Sequence, residues 1–197
     1  MVKRFFDFTV ACLGLLILSP VLLIAALVIK LTSLGPVFFC QERVGRYGKK
    51  FKLVKFRTMV NGAENKGTGP VTIYGDPRVT RIGEFLRRWK LDEIPTLWNV
   101  VKGEMSLVGP RPTVKMDVEK MDDKQRYRHS VLPGLTGLAQ INGNTSLNWP
   151  ERIKYDLEYI KKRSLMLDLV IIIKTIIIII TRDIETHPKG NTEWQEK

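Results

Sequence analysis

The stretch Val10–Ile29 carries no charged residue, and it constrains the chain more than any other feature. As a helix it would measure about 30 Å, the thickness of a bilayer's hydrocarbon core. Ser19-Pro20 sits at its middle. Proline lacks an amide N–H and crowds the carbonyl one turn back, so a bend is expected there. The Ser19 hydroxyl can satisfy a carbonyl that the proline frees, which lowers the cost of bending in lipid. Lys3 and Arg4 precede the stretch and Lys30 follows it. A straight span would leave basic residues on both sides of the membrane, against the positive-inside tendency. A helix that enters, breaks and returns keeps both flanks on one face. A plain spanning anchor is the alternative. A cleaved signal peptide fits poorly, because the run exceeds the usual h-region of about 7–15 residues and no small-x-small site follows.

A second apolar segment, Leu165–Ile180, includes Asp168 and Lys174. It is short for a span, and it reads as a helix lying in the interface with Lys174 reaching outward. A buried β-strand is the other reading of an isoleucine run. Together the two segments hide in a mean hydropathy of -0.06.

The charge balance is lopsided, with 32 Lys+Arg against 20 Asp+Glu and a net charge of +12. A basic surface beside a membrane anchor points to anionic lipid or phosphate-bearing ligands. Nucleic acid is excluded as a partner on two grounds: no RNP, zinc-finger or helix-turn-helix signature is present, and the anchor points elsewhere. Two cysteines, Cys12 and Cys40, make no disulfide scaffold, and two histidines argue against a zinc site or a histidine-centred triad.

Between the apolar segments lies a charged body. Ile82, Phe85, Leu86 and Trp89 recur at helical spacing, and Ile94, Leu97, Trp98 and Val101 predict a second short helix. Pro95 suits that helix's first turn and Gly103 its stop, which puts Asp92 and Glu93 at its entrance. Asp92 could serve there as a simple helix cap. Asn148-Trp149-Pro150-Glu151 predicts another helix start, and Lys115–Arg128 reads as a solvated surface helix. No GxxxxGK[ST], GxGxxG, CxxC, HExxH or GxSxG motif is present. What remains is Asp92-Glu93 among Arg87, Arg88, Lys90, Lys102 and Arg111, a composition suited to phosphoryl chemistry. Arg111 lies between two prolines that would restrict its backbone and help aim its guanidinium.

Several motifs follow one another in a recognisable order. They are QERVGRYGKKF (Gln41–Phe51), KFRTM (Lys55–Met59), DPRVTRIG (Asp76–Gly83), LDEIPTLWNV (Leu91–Val100), GEMSLVGPRP (Gly103–Pro112) and PGLTGLAQINGN (Pro133–Asn144). With Lys3-Arg4, Ser19-Pro20, Tyr155-Asp156 and Leu167-Asp168-Leu169, they make the chain resemble the bacterial sugar transferases, the monotopic polyprenyl-phosphate phosphoglycosyl transferases.

The resemblance implies transfer of a sugar-1-phosphate from a UDP-sugar to a polyprenyl phosphate, with release of UMP. It implies Asp92 as nucleophile, forming a covalent phosphosugar intermediate, and Glu93 as its partner in proton transfer or metal positioning. It implies Mg²⁺ bridging Asp92 and the diphosphate, with Arg111 as the first phosphate clamp and Arg57, Arg87 and Gln140 as further contacts. It also implies a re-entrant helix broken at Ser19-Pro20, seated at the cytoplasmic face of a bacterial inner membrane. Leu138 stands where many members have Trp, and Asn144 where members commonly have Arg. An arginine that could help hold substrate is therefore missing.

The expected architecture is α+β and mostly helical. It comprises a re-entrant hairpin over residues 1–32, a small catalytic domain over 33–184 that includes the interfacial segment 165–180, and a polar tail over 185–197. The alternative function is a catalytically silent, membrane-anchored adaptor of polysaccharide assembly. A homodimer is left open.

Overall fold

The computed structural model describes residues 1–65 and 75–181, apart from the side chain of Thr145. The domain limit at residue 184 and the tail 185–197 lie outside the described residues.

The first helix, α1, runs Val2–Thr32 with Pro20 inside it. Pro20 cannot donate to the carbonyl of Leu16, four residues earlier. Ser19 Oγ donates to that carbonyl instead, at 2.8 Å, which is the local compensation the sequence suggests. By length and composition α1 is able to cross a membrane.

Both halves of α1 nevertheless pack on the same body. Asp7, Ala11, Ala25 and Ile29 are its buried positions, and with the partly buried Leu15 and Leu22 they recur at three-, four- and seven-residue steps. The first half joins a core that includes Leu97, Val100, Met105, Leu107 and Ile171. The second half joins Phe56 and Leu86. Burying side chains of this size is worth about 1.5–3 kcal/mol each.

Polar contacts hold both ends. Arg4 donates to the carbonyls of Val100 (2.5 Å) and Val101 (2.8 Å). Lys3 pairs with Asp168 at 2.6 Å, and Asp7 accepts from Ser106 Oγ at 2.8 Å and from the Leu107 amide at 3.3 Å. At the other end Arg57 donates to the carbonyls of Ser33 and Leu34. The basic N-terminal flank is therefore engaged with protein, whereas the sequence suggests contact with lipid.

Strands β1 (Phe38–Val44) and β2 (Lys50–Phe56) form an antiparallel hairpin, with Phe38 opposite Phe56 and Val44 opposite Lys50. Helix α2 (Arg81–Arg88) starts on the Thr80 side chain, which accepts from the Gly83 amide. A 3₁₀ turn, Leu91–Thr96, leads into α3 (Leu97–Lys102), and Gly103 closes α3 at φ +83°. A short strand, β3 (Ser106–Val108), pairs in parallel with β4 (Gly134–Thr136).

The expected surface helix over Lys115–Arg128 is two short ones, α4 (Lys115–Glu119) and α5 (Asp123–Arg126). Asp122 supplies a new cap between them. After α6 (Leu138–Ile141) comes α7 (Trp149–Lys162), which opens with a reciprocal Asn148–Glu151 capping box. The isoleucine-rich segment is helical, as α8 (Leu165–Thr181).

The outer faces of α1 and α8 are apolar and uncovered. Leu16, Ile17 and Leu23 are each 71% exposed, and Ile173, Ile176, Ile177 and Ile180 are exposed on α8. Exposed apolar side chains in such number are costly in water and fit a membrane.

Candidate active site

The acid pair lies in the 3₁₀ turn between α2 and α3. Lys90 opens that turn in the left-handed region, at φ +55°, an uncommon and mildly strained conformation for a residue with a Cβ. Pro95 and the buried Thr96 close it, and Thr96 Oγ1 donates to the Val54 carbonyl at 2.9 Å. Asn99 fastens α3 to the hairpin by donating to the Lys52 carbonyl (2.7 Å) and accepting from the Val54 amide (3.0 Å). The hairpin and the acid turn are thereby locked together.

The two acids have different surroundings. Glu93 is clasped by Lys55 at 2.6 Å and by Arg111 at 2.7 Å. Burial alone would raise its pKa, but the Arg111 and Lys55 charges and hydrogen bonds hold it well below the usual carboxylate range. Asp92 is 9% exposed, and among the described residues its carboxylate has no hydrogen bond or ion pair. Burial, followed by the neighbouring Glu93 charge, pushes its pKa up to about 6. Lys55, Lys90 and Arg87 oppose that shift.

Arg43, Lys55 and Arg111 line a cleft together with Glu93. That is three cations against one carboxylate. Burial, then repulsion from Arg111, lowers the Arg43 pKa to about 10, and the buried Arg43 Nε has no partner among the described residues. Such a surplus of cationic donors suits an anion. Leu53, Met105, Pro112 and Leu135 give the cleft apolar walls.

Of the residues expected from sequence, the structure gathers Asp92, Glu93 and Arg111, with Arg87 in electrostatic reach of Asp92. Arg87 also donates to Thr58 Oγ1 at 2.8 Å. Arg57 is elsewhere engaged, its guanidinium holding Ser33 and Leu34 just past α1. Gln140 lies in α6 with its amide oxygen and nitrogen buried and unpartnered among the described residues, three residues after Gly137, which abuts the Gly109 backbone. Sequence reasoning left out Arg43 and Lys55 as site residues. Both lie inside the quoted QERVGR and KFRTM motifs, and that was their only signal.

Among the described residues no three Asp, Glu, His or Cys side chains converge as a metal cage. Mg²⁺ does not need one, since it commonly uses one or two carboxylates together with substrate phosphates. The uncommitted Asp92 carboxylate is a donor of that type, so the residues fit the ion.

An acid pair beside a cation-lined cleft, on a body with an uncovered apolar face, is an arrangement suited to an anionic ligand and to a membrane surface. Residues 1–182 match the bacterial sugar transferase family, and the chain belongs to it. It is 45% identical over 185 residues to the undecaprenyl-phosphate glucose phosphotransferase of Komagataeibacter xylinus, covering 88% of this chain and 35% of that protein. It is 44% identical over 184 residues to the UDP-glucose:undecaprenyl-phosphate glucose-1-phosphate transferase of Escherichia coli K12, covering 89% of this chain and 39% of that protein. Against the exopolysaccharide production protein ExoY of Sinorhizobium fredii the identity is 38% over 188 residues, covering 88% of this chain and 83% of the relative. The chain thus spans under two-fifths of the length of the first two relatives.

Proposed function

We propose that this chain transfers a sugar-1-phosphate from a UDP-sugar to a membrane polyprenyl phosphate. A carboxylate oxygen of Asp92 attacks the β-phosphorus, and the bond to the bridging oxygen breaks, so that UMP leaves with its electron pair. The phosphosugar is then bound to Asp92. A phosphate oxygen of the polyprenyl phosphate attacks the same phosphorus, the bond to Asp92 breaks, and the carboxylate is restored.

A single observation carries this reading. Asp92 is a buried carboxylate with no hydrogen bond or ion pair among the described residues, set next to Lys55, Lys90 and Arg87, and a covalent nucleophile must be left uncommitted. Arg111 and Lys55 supply cationic contacts for the transferring phosphoryl group, and Arg87 supplies one for the diphosphate. Glu93 is the acid partner. Ionised as it is, it holds those two cations in place and would assist any metal at Asp92. Asp92 is the residue that would hold Mg²⁺, and the ion would supply neutralisation of phosphate charge.

The membrane arrangement is part of the proposal. Both ends of α1 lie on the cytoplasmic face of the bacterial inner membrane, and the helix dips into lipid around Ser19-Pro20. The contacts of Lys3, Arg4 and Asp7 at one end, and of Ser33 and Leu34 at the other, support it.

The test measures UMP release from a UDP-sugar panel with polyprenyl phosphate in nanodiscs. Asp92→Asn is expected to lower turnover by about 10³-fold or more, and quenched wild-type enzyme should carry a phosphosugar on the Asp92 peptide. Wild-type turnover by Asp92→Asn would end the nucleophile assignment. Lipid binding without UMP release from any sugar would favour the adaptor.

A further inference from the structure

One buried charge pair lies outside the chemistry proposed above. Arg128 follows α5 and is 2% exposed, and Asp156 on α7 is 1% exposed. Arg128 Nε donates to Asp156 Oδ2 at 2.8 Å, and its guanidinium carbon lies 5.6 Å from the centre of the Trp149 ring. The remaining donors point to the Arg111 loop. Nη2 donates to the Arg111 carbonyl at 2.8 Å, and Nη1 to Thr113 Oγ1 at 3.4 Å.

Burying an arginine–aspartate pair costs several kcal/mol per ion in desolvation, and an apolar replacement is often as stable. Stability alone therefore gives a poor account of this pair. Its contacts give a better one. Pro110 and Pro112 have no N–H, so the segment around Arg111 is short of backbone donors with which to fix itself. The Pro110 carbonyl accepts from the Gly134 amide, and the Thr113 carbonyl from the Val44 amide, both at 2.9 Å. Between these two points the Pro112 carbonyl accepts from Arg43 Nη1 at a long 3.3 Å, and the Arg111 carbonyl itself is held by Arg128.

We propose that Arg128, oriented by Asp156, is the positioning residue that aims the Arg111 guanidinium at Glu93 and the incoming phosphate. The proposal rests on Arg111 being a phosphate clamp. Losing the fork would free the backbone at Arg111, and a displacement of about 1 Å in such a group can cost 10²-fold in rate.

The test is a double-mutant cycle on UMP release, with thermal melts in nanodiscs to establish that each variant is folded. Lysine keeps the charge but cannot serve Asp156, Arg111 and Thr113 together. Arg128→Lys is expected to lower kcat/KM about tenfold or more, mainly through KM for the UDP-sugar. In an Arg111→Ala background the same change should cost less than about twofold, because the group it aims is gone. Equal losses in both backgrounds would overturn the proposal, as would wild-type kinetics of Arg128→Lys. If Arg128→Lys does not fold, Asp156→Asn, of nearly equal volume, goes through the same cycle. An Arg111→Ala variant with wild-type kcat/KM would instead remove the clamp reading itself, a separate failure.

Discussion

Arg57 separates two readings that predict opposite results. Family resemblance makes it a substrate contact. Its geometry makes it the latch that holds the segment leaving α1. The side chain is 5% exposed, and its guanidinium donates to the Leu34 carbonyl (2.7 Å), the Ser33 carbonyl (2.9 Å) and Ser33 Oγ (2.7 Å). Arg57→Met keeps most of the apolar stem and deletes all three donors. A hydrogen bond to a charged group is worth about 1.5–3 kcal/mol net. Three of them set an upper limit, which must be reduced because Leu34 is 93% exposed and water can replace the donor there. The working figure is about 2–4 kcal/mol. For a domain of this size each kcal/mol moves Tm by roughly 2–4 °C, so a fall of about 5–15 °C is expected. Thermal unfolding in nanodiscs reads the stability, and UMP-release kinetics below both transitions read the site. KM for the UDP-sugar should stay within about twofold of wild type. A tenfold rise in KM with Tm unchanged would refute the latch and restore the substrate contact.

Two other positions give expectations of a different kind. The His129 pKa is lowered to about 4, by burial and then by Arg128, while an unfolded histidine titrates near 6.5. Between those values the unfolded chain binds a proton that the folded chain refuses, so stability is complete above pH 6.5 and is lost as pH falls toward 4. Allowing for its partial exposure, the loss is about 1–2 kcal/mol, and urea melts of His129→Gln should show a shallower decline over that window than wild type. Gly83 backs directly onto Thr58, where an added Cβ would lie 2.6 Å from the Thr58 carbonyl carbon. Gly83→Ala should therefore cost about 1–3 kcal/mol by overpacking, despite alanine's better helix propensity, and a higher Tm in a thermal melt would contradict it.

What was legible in the sequence was local. Ser19 and Pro20 are adjacent, and the carbonyl they share lies one turn away at Leu16, so the compensation could be anticipated. The Asn148–Glu151 capping box spans three residues and is equally plain. Lys3 and Arg4 look like a flank for lipid because their partners are distant in the chain: Asp168, and the carbonyls of Val100 and Val101. Arg128 sits in a charged run and looks solvated, but Asp156 and Trp149, brought in by α7, bury it. Trp98 fits the apolar pattern of α3 yet is 54% exposed, while Asn99 beside it is fully buried. Local pattern cannot reveal that α3 faces a hairpin whose strand backbone needs an amide partner.

The division of labour within Asp92-Glu93 was the least legible feature, and the 3₁₀ turn explains it. With about three residues per turn, successive side chains leave the axis roughly 120° apart. One acid can thus meet Lys55 and Arg111 while its neighbour meets neither at bonding distance. Had the segment been extended, the two carboxylates would have pointed to opposite faces. The left-handed Lys90 starts the turn, and Pro95 restricts it. Glu93 then performs a task that Asp92 could not share. On the proposed function, by neutralising one of the cleft's cations it lets Lys55 and Arg111 lie side by side, and it leaves the surplus positive charge for an arriving phosphate. Asp92, within the field of Lys55, Lys90 and Arg87 yet bonded to none of them, keeps a carboxylate for chemistry. If Glu93 works this way, Glu93→Gln should impair phosphate binding through Lys55 and Arg111 more than it impairs the carboxylate of Asp92, raising KM for the UDP-sugar by a larger factor than it lowers kcat. The reverse ratio in UMP-release kinetics would move Glu93 from holding cations to the proton-transfer role.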